Sequence, residues 1–110
     1  VRKPRQCIGC CAMVSVGQSA LDCSGYYNGD FWSATYHHEC RAAEIALNDL
    51  HDLRSGEDWM GLSEIEWDDW PWLIAEHPVV AERMKVTAER YQKVVDERER
   101  CRLAFAQVRT

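Results

Sequence analysis

The sequence has no long hydrophobic run and contains little glycine or proline. No stretch of 18 apolar residues occurs among its 110 residues, so we expect no transmembrane helix. Six glycines and three prolines are too few for a fibrous or low-complexity chain. A glycine-rich phosphate loop and the H-E-x-x-H and G-x-S-x-G motifs are also missing, which argues against the enzyme classes that use them. The composition, with 46% hydrophobic and 28% charged residues, is that of one small globular domain.

Cysteine, by contrast, is abundant, and part of it is regularly spaced. Cys7 and Cys10 form a C-x2-C pair, and His37 and Cys40 form an H-x2-C pair. A tight turn places both side chains of such a pair on one face, and two pairs supply the four Cys and His donors of a closed structural zinc site. We therefore predict one structural Zn2+ bound by Cys7, Cys10, His37 and Cys40.

Neighbouring residues leave the ligand set partly open. Cys11 could replace Cys10, His38 could replace His37, and Cys23 lies between the two pairs. The simplest interpretation of Cys11, Cys23 and Cys101 is that they are small buried hydrophobic residues. Three disulfides would suit a secreted scaffold, but residues 1–6 lead into Cys7 without an apolar signal region. An intracellular, cytoplasmic location is therefore expected.

The first half of the chain reads as short strands followed by a helix. Residues 13–16 predict a short strand, and residues 20–27 and 31–37 predict a hairpin around Asn28-Gly29, a strong turn signal. After Cys40, apolar residues recur at helical spacing as far as Leu53, and Ser55-Gly56 is a stop signal. The order is thus a Cys pair, a hairpin, and a His/Cys pair that opens a helix.

This pattern resembles a treble-clef zinc finger. The resemblance rests on C-x2-C…H-x2-C, on the aromatic run Trp32…Tyr36-His37, and on the Val16-Gly17-Gln18 step. LIM half-domains, the fingers of poly(ADP-ribose) polymerases and small zinc proteins of phages and mobile elements are similar in pattern. The resemblance covers residues 7–54 and implies the four ligands named above, but it fixes a metal site rather than an activity. LIM domains bind proteins, whereas polymerase-type fingers bind DNA breaks.

An acidic segment rich in tryptophan follows the predicted finger. Residues 41–80 hold two basic and ten acidic side chains, a net charge of −8, and include four tryptophans within 14 residues. The rings could pack over the core with the acids in water, or they could anchor a protein partner. Such a surface would repel a nucleic-acid backbone. The predicted partner-binding residues are Trp59, Trp67, Asp68, Asp69, Trp70 and Trp72. Asp69-Trp70-Pro71 resembles a helix start.

The last segment carries an apolar stripe. Positions from Val80 to Val108 step by alternating four and three residues, and seven of the nine are apolar. This spacing predicts a long amphipathic helix over residues 78–110. Two arrangements are open: the stripe packs on the helix after Cys40, or it pairs with a second copy to form a homodimer.

The sequence as a whole predicts an α+β fold in three segments. They are a treble-clef zinc module at 1–56, a short helical, acidic, Trp-rich segment at 57–77, and a long C-terminal helix at 78–110. The predicted function is a non-catalytic, zinc-stabilised module that binds another protein as an adaptor or inhibitor. The alternative is a nucleic-acid-binding finger that uses Arg2, Lys3, Arg5, the hairpin aromatics and the basic helix. An HNH-like nuclease is more remote: Asn48, His51 and His77 are available, but the hairpin such a site needs is missing.

Overall fold

The N-terminal half consists of two small antiparallel hairpins. The computed structural model describes residues 3–27, 29–53 and 58–109. β1 (Arg5–Gln6) pairs with β2 (Met13–Val14), and β3 (Leu21–Tyr27) pairs with β4 (Asp30–Tyr36). Helices follow these hairpins, so the α+β prediction is confirmed.

The β3–β4 hairpin has the register that its turn residues favour. Pairing runs from Leu21 opposite Tyr36 to Tyr27 opposite Asp30. Gly29 has φ +84°, a conformation that glycine adopts without a steric penalty; Asn28 lies outside the described residues. The face with Cys23, Ala34 and Tyr36 packs on the core, while the opposite face exposes Tyr26 and Phe31 at its tip. The hairpin therefore projects aromatic side chains away from the core.

Four α-helices and two 3-10 turns follow the hairpins within the described residues. They are α1 (His38–Leu50), the 3-10 turns Leu62–Glu64 and Trp67–Asp69, α2 (Trp70–Glu76), α3 (Pro78–Arg83) and α4 (Ala88–Arg109). The predicted start at Asp69-Trp70-Pro71 is confirmed, with Asp69 preceding α2. α1 ends three residues before the predicted Leu53, because Asp52 adopts φ +57° and the Leu53 N–H bonds back to the Asn48 carbonyl. The predicted stop at Ser55-Gly56 lies outside the described residues.

The prediction of one long helix over residues 78–110 is wrong. α3 ends in a Schellman motif: Lys85 adopts φ +59°, its N–H bonds to the Glu82 carbonyl at 3.1 Å, and the Val86 N–H bonds to the Ala81 carbonyl at 2.9 Å. Val86 is buried beyond this cap. Thr87 then starts α4, because its hydroxyl accepts a hydrogen bond from the Arg90 N–H at 3.1 Å. The chain therefore turns between two helices where the apolar spacing suggested one.

A single apolar core joins the hairpins to α1, α2 and α3. Its fully buried apolar members outside the Cys/His cluster are Val14, Ala43, Leu47, Leu62 and Leu73, with Val80, Ala81 and Val86 nearly so. α1 also buries two polar side chains, Glu44 and Asn48. Among the described helices, none has both the length and the apolar character that a membrane span requires.

Candidate metal centre

Cys7 and Cys10 lie in the tight turn between β1 and β2. The Cys7 N–H bonds to the Ala12 carbonyl and the Cys11 N–H bonds to the Cys7 carbonyl, both at 2.9 Å, so the turn folds back on itself. Gly9 brings this turn against α1, since a Cβ at Gly9 would lie 3.2 Å from Cys40 Cβ. A side chain at position 9 would therefore push the turn away from the second Cys/His pair.

His37 and Cys40 come from the junction of β4 and α1. His37 follows the last residue of β4 and precedes α1 with extended backbone angles, φ −62° and ψ 145°. Cys40 lies in the first turn of α1, where its N–H bonds to the His37 carbonyl at 3.1 Å. The change from strand to helix at this point directs both side chains toward the turn that holds Cys7 and Cys10.

The four predicted ligand residues meet at one buried point. Their donor atoms all lie within 4.8 Å of one another, and all four residues are buried. His37 Nδ1 is 3.4 Å from Cys10 Sγ and 3.7 Å from Cys40 Sγ. Bond lengths of about 2.3 Å for Zn–S and 2.1 Å for Zn–N at tetrahedral angles place S and N about 3.6 Å apart. The donor set and its spacing therefore fit a single zinc ion.

Each sulfur also receives a hydrogen bond from an N–H group. The His37 backbone N–H donates to Cys7 Sγ and the Ala12 N–H donates to Cys10 Sγ, both at 3.4 Å. The Arg83 guanidinium donates to Cys40 Sγ at 3.8 Å. Such donors stabilise thiolates, the form of cysteine that binds metal.

The three buried thiols influence one another's pKa. A hydrogen bond from the Cys40 thiol lowers the pKa of Cys7 to about 4, and the same contact raises the pKa of Cys40. Burial raises the pKa of Cys10. A metal ion bound by these residues would favour the thiolate form of all three cysteines, so its binding would release protons.

The other candidate ligands lie outside this cluster. Cys11 is exposed, Cys23 is half-buried on β3, and exposed His38 contacts Ser19 Oγ through Nε2 at 3.0 Å. The prediction that Cys11 and Cys101 are buried is wrong, because both are exposed. Among the described residues, the structure brings together Cys7, Cys10, His37 and Cys40 alone, and their binding of a metal stays a prediction.

The tryptophan-rich segment packs its rings against the rest of the chain. Trp59, Trp67, Trp70 and Trp72 are all half-buried. Trp67 stacks on Tyr91 with ring centroids 6.0 Å apart, and Arg98 lies 4.7 Å from the Trp67 centroid. Asp68 is exposed, whereas Asp69 contacts His51 at 2.6 Å. Partner binding by these six residues stays a prediction.

Two residues at or near the site had no local signal in the sequence. Arg83 contacts Cys40 from 43 positions further along the chain, and no spacing rule connects them. Glu44 is buried beside the site and accepts a hydrogen bond from the Tyr36 hydroxyl at 2.9 Å. Both are charged residues in helices, where charged residues usually face solvent.

No protein-family model matches the chain, and comparison with curated proteins and with solved structures gave no match.

Proposed function

We propose that this protein is a zinc-stabilised, non-catalytic module of the treble-clef type that binds another protein. The observation that carries the metal part is the buried convergence of three cysteines and one histidine at tetrahedral spacing. A Cys3His donor set is that of a structural zinc site, because zinc prefers soft thiolate and imidazole ligands in a four-coordinate shell.

The burial of the site supports a structural role. Cys7 and Cys40 are 0% exposed, His37 is 3% and Cys10 is 7%. A catalytic zinc site keeps one position for water or substrate, whereas four protein donors fill the tetrahedron. Asn48, the asparagine considered for a nuclease, instead holds the backbone of Met60 through two hydrogen bonds. These features favour a metal that holds the fold together.

The exposed hairpin tip supports the binding part of the proposal. Tyr26 is 76% exposed, Phe31 is 62% and Trp32 is 43%. Tyr26 and Phe31 form an edge-to-face pair with centroids 5.5 Å apart, so the tip presents a preformed aromatic surface. Aromatic residues are enriched in the centres of protein interfaces. Because the metal-bound half fixes the base of the hairpin, zinc would order this surface.

Nucleic-acid binding is the second candidate, and exposed arginines on α4 favour it. Arg98, Arg100 and Arg102 are exposed near the C-terminal end of that helix. Arg102, however, pairs with Glu99 at 2.5 Å, and the whole chain carries a net charge of −5. Binding to a phosphate backbone requires an excess of unpaired basic side chains on the protein, so protein binding is the better supported function.

The metal part is tested by stoichiometry. Wild type should contain one zinc per chain by elemental analysis, and Cys40→Ser should lose the zinc and unfold the N-terminal half. Structural zinc supplies about 10 kcal/mol or more of binding free energy in small fingers, so its loss should be visible in circular dichroism. Cys11→Ser is the matched control, because Cys11 lies outside the donor cluster. A folded wild-type protein without metal would contradict the proposal.

The binding part is tested by removing the aromatic tip. Phe31→Ser should abolish capture of a partner from the native host without changing zinc content, since the side chain is exposed. Val79→Ser, which removes an exposed apolar residue from α3, is the control. Retention on a DNA resin with a steep salt dependence, lost in an Arg98→Gln/Arg100→Gln double variant, would instead favour the nucleic-acid function.

A further inference from the structure

Arg83 connects the C-terminal helices to the candidate metal centre. Its Nη1 atom lies 3.8 Å from Cys40 Sγ and 2.5 Å from Glu39 Oε1. Arg83 is in the last turn of α3, and its side chain is 23% exposed. The guanidinium is therefore held between a metal-ligand sulfur and a carboxylate on the same turn of α1.

The three sulfurs differ in the kind of donor that they receive. Cys7 and Cys10 accept backbone N–H groups from His37 and Ala12, which belong to the hairpin half of the chain. Among the described residues, the donor to Cys40 Sγ is the charged side chain of Arg83. Cys40 thus depends on a side chain of α3 for the contact that the other two sulfurs obtain from backbone groups of residues 12 and 37.

The charge of a loaded site makes this contact important. Zn2+ with three thiolates and a neutral histidine carries one net negative charge, and here that charge would be buried. A buried charge is costly unless an opposite charge or hydrogen bonds compensate it. One guanidinium beside Cys40 supplies both, because arginine stays charged at all ordinary pH values.

We propose that Arg83 is the outer-sphere cation of the zinc centre: it neutralises the site, lowers the reactivity of the Cys40 thiolate, and makes zinc retention depend on the docking of α3. The inference rests on the proposed zinc site. Outer-sphere partners of metal ligands typically change affinity 10–100-fold when removed, so we expect Arg83→Gln to lower zinc affinity by about that factor. The zinc affinity of Arg83→Lys should lie between those of wild type and Arg83→Gln, since lysine keeps the charge but not the planar donor.

The experiment is a zinc competition with a chromophoric chelator on the full chain. Arg90→Gln is the matched control, because the Arg90 guanidinium lies 4.8 Å from the Trp70 ring centroid and donates to the Lys85 carbonyl at 2.9 Å rather than to a ligand sulfur. Glu39→Gln removes the ion pair of Arg83 but leaves its contact with Cys40 available. We expect both controls to retain zinc nearly as wild type does, and circular dichroism would show whether each variant folds.

A cobalt-substituted sample adds a spectroscopic measurement that a general loss of protein stability would not change. The thiolate-to-metal charge-transfer band should shift to longer wavelength in Arg83→Gln, because a hydrogen-bonded sulfur holds its electrons more tightly. Alkylation of Cys40 by iodoacetamide should also be faster, and it is followed on the Cys40 peptide by mass spectrometry because Cys11 and Cys101 are exposed thiols that react as well.

The possible outcomes separate this inference from the proposed function. Equal zinc affinity, spectra and alkylation rates in Arg83→Gln and Arg90→Gln would overturn the inference. An equal loss of zinc in Glu39→Gln would also overturn it, since the ion pair would then carry the effect. If Arg83→Gln does not fold, Arg83→Lys decides through the same three measurements. Absence of zinc from wild type would instead overturn the proposed function.

Discussion

At the scale of single residues, Glu44 joins the hairpin, α1 and the segment that follows α1. Its side chain is 2% exposed. Oε2 accepts hydrogen bonds from Tyr36, Arg41 and Trp59 at 2.9, 2.7 and 3.2 Å, and Oε1 accepts the Leu62 N–H at 2.8 Å. Burial, together with Glu44, raises the pKa of Tyr36 to about 12, so that hydroxyl stays a donor at neutral pH. Four donors compensate for the buried carboxylate.

Replacing this carboxylate should therefore be costly. Glu44→Gln puts an NH2 group among four donors and leaves the Arg41 guanidinium without its charged partner, so we expect a loss of about 3–5 kcal/mol in the free energy of unfolding. Urea denaturation of the zinc-loaded protein measures it. Glu99→Gln, which breaks an exposed pair with Arg102, should leave the midpoint unchanged. Equal midpoints for the two variants would show that the Glu44 contacts contribute little.

The candidate ligands could be predicted from sequence, whereas Glu44 and Asn48 could not. Each half of the candidate site is local, because the two members of each pair are three residues apart. Asn48 bonds to the N–H and the carbonyl of Met60, twelve residues away. No regular spacing in the sequence indicates this contact. In the sequence, both polar residues resemble the solvent face of an amphipathic helix. The contacts of Trp59 and Leu62 with Glu44, and of Met60 with Asn48, cover that face of α1.

At the scale of elements, the turn between α3 and α4 determines where the C-terminal helix points. Lys85 adopts left-handed backbone angles there, which cost a residue with a Cβ about 1–2 kcal/mol. The 4-3 apolar spacing continues across this turn, which is why the sequence suggested one helix. Two residues in the sequence indicate the break between α3 and α4. Thr87 is a good N-cap, and Val86 is the apolar residue that is buried just after a Schellman motif.

Glycine at position 85 should stabilise the protein. Lys85→Gly relieves the left-handed strain but adds entropy to the unfolded chain, so we expect a net gain of about 0.5–1 kcal/mol. Lys93→Gly, in the interior of α4, should instead cost about 1 kcal/mol. Thermal unfolding of both variants measures the difference. A loss of stability in Lys85→Gly would contradict the Schellman turn and favour a continuous helix.

Trp67, in the 3-10 turn before α2, packs against the first part of α4. It stacks on Tyr91 and lies under Arg98, two residues of α4. Because the ring is half-buried, Trp67→Ala should cost about 1–3 kcal/mol, less than a fully buried tryptophan. Backbone amides around Tyr91 should then exchange faster with deuterium. If Trp67→Ala abolishes partner capture with unchanged stability and exchange, Trp67 is a binding residue, as the sequence predicts.

At the scale of the whole molecule, the protein is elongated. Its radius of gyration is 17.3 Å, against about 13 Å for a compact chain of 100 residues, and its extents are 59 × 32 × 21 Å. α4 has 22 residues and is about 33 Å long. Tyr91, Val94 and Val95 are half-buried, whereas residues 96–106 are all exposed. The second half of α4 therefore extends beyond the core.

This projecting half of α4 is where self-association is expected. Leu103 is 50% exposed, and apolar side chains that cluster at the end of a soluble helix are normally covered. A two-fold dimer would cover them with the same segment of a second copy, and an exposed arginine such as Arg100 could pair with Glu97 of that copy. We predict a mass that rises with concentration in light scattering and an association that Leu103→Asp weakens. Ile45→Asp, on exposed α1 surface, is the control. A constant monomeric mass at high concentration, with a radius of gyration near 17 Å in solution scattering, would show that α4 projects without a partner copy.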